Sequence, residues 1–69
     1  MPTFPTRLHE LRNTTPFSQK KMAEELGIVF RSYRRYESGE SDPTLTTMLK
    51  IAEYFNVSLD YLAGRTDEP

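Results

Sequence analysis

The sequence predicts an all-α fold of five short helices, and three observations carry that expectation. Apolar residues recur at helical spacing, most clearly at Leu45, Met48, Leu49, Ala52 and Phe55, and nothing alternates with the period of a strand. Residues that favour helix N-caps precede such stretches at Ser18, Thr44 and Ser58. Helix stops follow them at Pro16, Gly27, Asn56 and Gly64.

Residues 1–5 hold two prolines and little periodicity, so they read as a loose arm. Leu8 and Leu11 then mark a short first helix, closed by Asn13-Thr14-Thr15-Pro16. Ser18 caps a second helix from Gln19 to Leu26, whose inward face is Met22, Ala23 and Leu26, with Phe17 placed as a hydrophobic staple. Gly27 can take the left-handed conformation that turns the chain, and Ile28 starts a new segment. From about Phe30 to Ser38 that segment carries Tyr33 and Tyr36 on one side and Arg31, Arg34 and Arg35 largely on the other. Glu37 to Pro43 reads as a loop leading to the cap Thr44. In the fourth helix Ile51 widens the apolar stripe, and after Asn56 the residue Val57 anchors the turn. Leu59 and Leu62 point inward from a short fifth helix, and residues 65–69 read as a frayed polar tail. Residues 1–69 together fit one domain.

Composition removes several classes of function. A core this small leaves no room for a large cofactor pocket, so no cofactor is expected. The chain has no cysteine, which excludes disulfides, thiolate chemistry and cysteine-held metal. No apolar run approaches the ~20 residues of a membrane span, and the cytoplasm is the default expectation. His9 is the only histidine and reads as a surface residue, and Glu24 and Glu25 point in different directions on a helix. No nucleophile–base, metal-ligand or phosphate-loop spacing is present, so neither catalytic residues nor a metal site are expected, and an enzyme is disfavoured. The net charge of -1 hides an asymmetry. Up to residue 36, seven basic residues (Arg7, Arg12, Lys20, Lys21, Arg31, Arg34, Arg35) face three acids, a local charge of +4; beyond it, two face seven, a charge of -5. One basic face and one acidic face follow, and the basic one can steer an anionic partner.

The stretch from Phe17 to Thr44 concentrates the chemistry. Two short helices share a tight turn at Gly27, and small Ala23 lets the second approach the first, which is the physical recipe of a helix-turn-helix. Lys20 and Lys21 occupy the first turn of the second helix, where the dipole disfavours cations and a neighbouring phosphate would reverse the penalty.

In the order RLHELR (Arg7 to Arg12), SQKKMAEELG (Ser18 to Gly27), RYESGESDPTL (Arg35 to Leu45), LKIAEYFNVS (Leu49 to Ser58) and LDYLAG (Leu59 to Gly64), nearly the whole chain resembles the helix-turn-helix domain of lambdoid phage repressors and Cro, shared by XRE-like small regulators. The resemblance implies a five-helix lambda-repressor-like fold with the helix-turn-helix at helices 2 and 3. It also implies sequence-specific double-stranded DNA binding as a transcriptional regulator, typically a repressor bound as a homodimer to a palindromic operator. Carried over by position, Phe30, Arg31 and Arg35 face bases, with Ser32 and Arg34 nearby. Gln19 contacts phosphate, alongside Ser18, Lys20 and Lys21. Arg12 and Glu37 form a structural ion pair between helix 1 and the end of helix 3.

Several positions depart from the family pattern. Val29 stands where a Ser or Thr cap is common, a loss of about 1 kcal/mol at that helix start. Phe30 replaces a common polar residue and either folds into the core or faces thymine methyls. Tyr33 replaces the usual Ile or Val of the inter-helix contact; its hydroxyl and that of Tyr36 are expected to reach water or phosphate. Glu40 and Asp42 stand where relatives often carry phosphate-binding Lys or Arg. The cluster Tyr54, Phe55, Val57 and Tyr61 reads as mostly core, yet it exceeds the need of a small domain, and part of it suggests a dimer interface. A second reading stays open, a protein-binding module such as an antitoxin or anti-repressor, which an exposed apolar patch would favour.

Overall fold

Hydroxyl side chains start four of the five helices of the computed structural model, which describes residues 2–69. Thr3 caps α1 (Phe4–Asn13), Ser18 caps α2 (Gln19–Leu26), Thr44 caps α4 (Leu45–Phe55) and Ser58 caps α5 (Leu59–Leu62). Each accepts a hydrogen bond from the backbone N–H three residues on, which satisfies one of the donors a helix start leaves unpaired. The exception is α3 (Phe30–Ser38), where Val29 supplies no side-chain cap.

Left-handed residues end α2, α3 and α4. At Gly27 (φ 69°) the Ile28 N–H bonds the Ala23 carbonyl at 2.9 Å, and at Asn56 (φ 55°) the Val57 N–H bonds the Ala52 carbonyl at 3.0 Å. In both turns the residue after the left-handed one packs against the core, fixing the direction in which the next helix leaves.

The core gathers where the helices converge. Leu8 of α1, Met22 of α2, Tyr33 of α3, Ile51 of α4 and Leu62 of α5 are completely buried. α3 packs on α1 and α2, while α5 bridges α1 and α4. Within α4 the buried stripe runs Met48, Ile51, Ala52 and Phe55, whereas Leu45 and Leu49 point outward, Leu45 at 67% exposure. The outward pair continues the i, i+4, i+7 row through Ala52, so sequence period alone counts it with the inner stripe. Among the described residues, no helix is long and apolar enough to cross a membrane.

The two chain ends differ from their sequence reading. Of the expected loose arm, Met1 lies outside the described residues, and Phe4 and Pro5 already belong to α1. Proline suits the first turn because its missing N–H is one of those left unpaired there, and a Thr3–Thr6 capping box closes the start. The tail is held rather than frayed. Arg7, buried on α1, donates to the Thr66 carbonyl at 2.9 Å and to Asp67 at 2.7 Å, and its guanidinium lies 4.0 Å from the centre of the Tyr61 ring. A buried guanidinium demands such partners; the tail supplies two to Nη2, while the buried Nε has none among the described residues.

Gly64 makes this closure possible. A Cβ there would meet the Pro2 carbonyl oxygen at 2.3 Å, and its φ of +83° already disfavours a side chain. Gly39 shares the positive φ, but a Cβ there would meet only Pro5 Cγ at 3.6 Å, an ordinary contact. Gly64→Ala is therefore expected to destabilise the fold by well over ~1 kcal/mol, and by more than Gly39→Ala. Equal losses in urea denaturation would show that backbone conformation, not the Pro2 contact, sets both.

Candidate nucleic-acid interface

The candidate interface starts from a buried carboxylate. Glu37 sits in the last turn of α3 with its side chain only 4% exposed. Arg12 of α1 donates from Nε to Oε2 at 2.7 Å and from Nη2 to Oε1 at 3.4 Å, while its Nη1 reaches the Phe17 carbonyl at 3.1 Å. Gln19, first residue of α2, donates its amide to Oε1 at 3.1 Å, and the Tyr33 hydroxyl donates to Oε2. His9 completes the set, with Nδ1 3.1 Å from Oε1 and Nε2 3.1 Å from the Asn13 amide. A neutral imidazole protonated at Nδ1 satisfies both contacts.

Burial alone would raise the Glu37 carboxyl. The donors from Arg12, Tyr33, Gln19 and His9 outweigh it and hold the pKa down at about 2. Burial and the adjacent carboxylate push the Tyr33 hydroxyl well above its ordinary value, so it remains a donor at every working pH.

This network fixes how α3 presents its outer face. Phe30, Arg31, Arg34 and Arg35 line an open groove of about 570 Å³, together with His9, Gln19 and Glu40. Phe30 turns outward at 39% exposure. All three arginines are exposed, and among the described residues no carboxylate lies within 4.0 Å of their guanidinium groups. Ser32 is half-buried and does not line the groove.

The residues expected at phosphate are placed unequally. Ser18 accepts from the Lys21 N–H at 3.2 Å, leaving its own hydroxyl proton free to donate. Gln19 commits one amide N–H to Glu37 and keeps the second. Lys20 is exposed and has no acidic partner among the described residues, while Lys21 lies 3.9 Å from Glu24.

Three roles were not visible in the sequence. His9, read as a plain surface residue, belongs to the Glu37 network; its place one turn before Arg12 and Asn13 is the signal that could have found it. Tyr33 directs its hydroxyl to Glu37 rather than to water or phosphate, so the ring that replaces an aliphatic residue fits the core and extends the network. Arg7, counted with the surface charge, is the buried anchor of the tail.

A family model described as helix-turn-helix matches residues 8–62. The cryptic phage CTXphi transcriptional repressor RstR of Vibrio cholerae serotype O1 is 45% identical over 64 residues, covering 90% of this chain and 57% of the repressor. The chain thus spans a little over half the length of that relative. A transcriptional regulator from Listeria innocua superposes with a TM-score of 0.83 at 30% identity, over 97% of this chain and 63% of the other. The P22 c2 repressor, solved in complex with a synthetic operator, superposes with a TM-score of 0.84 over 96% of this chain and 100% of its own; at 18% identity this likeness concerns the fold alone.

Removing the Glu37 carboxylate strands the Arg12 guanidinium and the Gln19 and Tyr33 donors together. Glu37→Ala is expected to cost about 3 kcal/mol or more, read as the loss of unfolding free energy in urea. The acid limb of stability follows from the same group. A carboxyl whose folded pKa lies below its unfolded value contributes stability that is complete above about pH 4.5 and lost as pH falls through about 2. Urea unfolding of wild type should weaken across that window, and Glu37→Gln should weaken less. Parallel pH profiles would assign the acid limb to other groups.

Proposed function

Because this chain belongs to the helix-turn-helix family, whose model spans residues 8–62, we propose that it is a sequence-specific double-stranded DNA-binding module of a transcriptional regulator, acting in the cytoplasm as a repressor. The observation that carries this reading is the set of three exposed arginines on α3, free of carboxylate partners among the described residues and anchored from behind by the Glu37 network. Arginine in a major groove can donate two hydrogen bonds to guanine O6 and N7. The start of α2 lies beside that face, where Ser18, Gln19 and Lys20 can reach the backbone while α3 reads bases. Base reading is assigned to Phe30, Arg31, Arg34 and Arg35, with Ser32 at most indirectly involved. No catalytic group is needed, because occupying an operator is sufficient to block access to it.

A palindromic operator bound by a homodimer fits the same reading, with half-site centres about one helical turn, ~34 Å, apart. Exposed Leu45 and Leu49, one turn apart on α4, and half-exposed Tyr54 leave apolar surface for a second copy. The same surface also favours a protein-binding role, exercised alongside DNA binding or instead of it. Sedimentation of the protein–operator complex separates these outcomes: two chains per selected palindrome support the dimer, and one chain on an asymmetric site rejects it.

Positioning and reading residues should separate in a salt titration on cognate and scrambled duplexes. Lys20→Ala is expected to weaken both duplexes alike and to lower the salt slope by about 0.9. Lys21→Ala should do less, because Glu24 already offsets part of its charge. Arg31→Ala and Arg35→Ala should cost roughly 1–3 kcal/mol on the cognate duplex and much less on the scrambled one. Equal losses on both duplexes would make these arginines positioning residues only.

A further inference from the structure

Arg34 does not stand free on the face of α3. Its guanidinium carbon lies 5.7 Å from the centroid of the Phe30 ring, within the ~6 Å reach of a cation–π contact. The two residues are one helical turn apart, so they share a face, and both line the groove with Arg31 and Arg35. Phe30 keeps 39% of its surface exposed although an apolar side chain gains by burial. Among the described residues no carboxylate lies within 4.0 Å of Arg34, so no ion pair competes with the ring for it.

The pairing has a defined complement in a major groove. An outward phenyl ring neither donates nor accepts hydrogen bonds, so what it can recognise on a base edge is an apolar group, the C5 methyl of a pyrimidine. A guanidinium restrained by that ring keeps its outer N–H groups for a guanine O6 and N7. The 5.7 Å between ring and guanidinium is less than two base steps of roughly 3.4 Å each, which suits neighbouring bases. Resting on the DNA-binding reading above, we infer that Phe30 and Arg34 act as one unit that reads a C5-methylated pyrimidine followed by guanine. Thymine–guanine and 5-methylcytosine–guanine steps both present that methyl and that guanine edge. The phenyl ring is blind to the exocyclic oxygen or amine that otherwise tells thymine from cytosine. Phe30 supplies the methyl-facing wall and positions Arg34; Arg34 supplies the guanine contact.

The test begins by selecting bound duplexes from a random pool with the whole chain, then measures affinity by fluorescence anisotropy on the selected site. The thymine of the pyrimidine–guanine step is replaced in turn by deoxyuridine, cytosine and 5-methylcytosine. Wild type is expected to lose about fourfold with deoxyuridine, what one buried methyl is worth, and to regain a similar factor when the cytosine form is methylated. Phe30→Ala should abolish that methyl discrimination while Phe30→Tyr, which keeps the ring, retains it. Arg34→Ala should lose the preference for guanine, and the double variant should lose little more than the worse single one. Circular dichroism melting of each variant confirms folding, which these outward side chains should leave intact. Selected sites without a pyrimidine–guanine step, equal binding of thymine and deoxyuridine, or independent losses for the two residues would each overturn the coupled reader and leave DNA binding standing. Failure of wild type to bind any duplex at low salt would overturn both.

Discussion

Two oxygens of the Glu37 carboxylate accept hydrogen bonds from α1, from the start of α2 and from α3 itself. Taking a carboxylate out of water costs several kcal/mol unless its lone pairs are filled and its charge is matched. Arg12 matches the charge; Gln19, Tyr33 and His9 fill the remaining positions. Because these donors belong to different helices, they can all be satisfied at only one mutual orientation of those helices. Rotating α3 about its axis would orphan several polar groups at once, so the arginine face is fixed from behind. The arrangement also bears on how α3 holds together. Its first turn lacks a side-chain cap at Val29, and its last turn holds a carboxylate where the helix dipole disfavours one. Arg12 beside that carboxylate offsets the second defect, and the fully buried Tyr33 ties the first half of the helix into the core.

Local chemistry made most of the helix boundaries legible. Hydroxyls before α2, α4 and α5, and left-handed residues after α2 and α4, act within a single turn, so a short window of sequence contains the whole cause. The misreadings arose where the cause lies far away in the chain. Pro2 and Pro5 suggest a loose arm, but the capping box that starts α1 is closed by Thr3 and Thr6, and the segment before it is covered by Gly64. Arg7 resembles any surface cation until Tyr61 and Asp67 arrive from the opposite end. Leu45 and Leu49 obey the same helical period as the buried stripe, and only the packing of α4 on α2 and α5 decides which row faces in.

At the candidate site, the residue types were legible and their division of labour was not. The turn at Gly27 and the arginines after it single out α3 as the proposed reading helix, but period alone cannot say whether Phe30 at its first position faces in or out. The structure turns it outward, where Arg34 covers part of the ring. Tyr33, three residues later, takes the inner position, and its hydroxyl reaches a carboxylate that an aliphatic side chain there would leave one donor short. The Gln19 amide is likewise drawn inward by Glu37, which an outward-facing Phe30 cannot prevent because it offers no hydrogen bond. One aromatic substitution at the helix start and another inside it are therefore mutually consistent.

On the proposed DNA-binding reading, the charge distribution shapes the balance between holding DNA and reading it. A module with net charge -1 cannot draw much affinity from phosphate alone. At the start of α2, Lys20 has no acidic partner among the described residues and Lys21 is partly offset by Glu24, while Glu40 is one of the residues that line the groove itself. The positive charge is instead concentrated on Arg31, Arg34 and Arg35, the side chains proposed to meet base edges. Contacts of that kind weaken when the bases change, whereas phosphate contacts do not. Sparse positioning charge combined with dense reading charge lowers affinity for arbitrary sequence more than for the correct one. In a genome where arbitrary sites vastly outnumber operators, that ratio governs occupancy more than absolute affinity does. Rigidity behind the reading face becomes correspondingly important, because arginines that could relax toward phosphate would give up the discrimination. The buried Glu37 network supplies that rigidity, and so links the most internal charge on α3 to the selectivity of its most exposed ones.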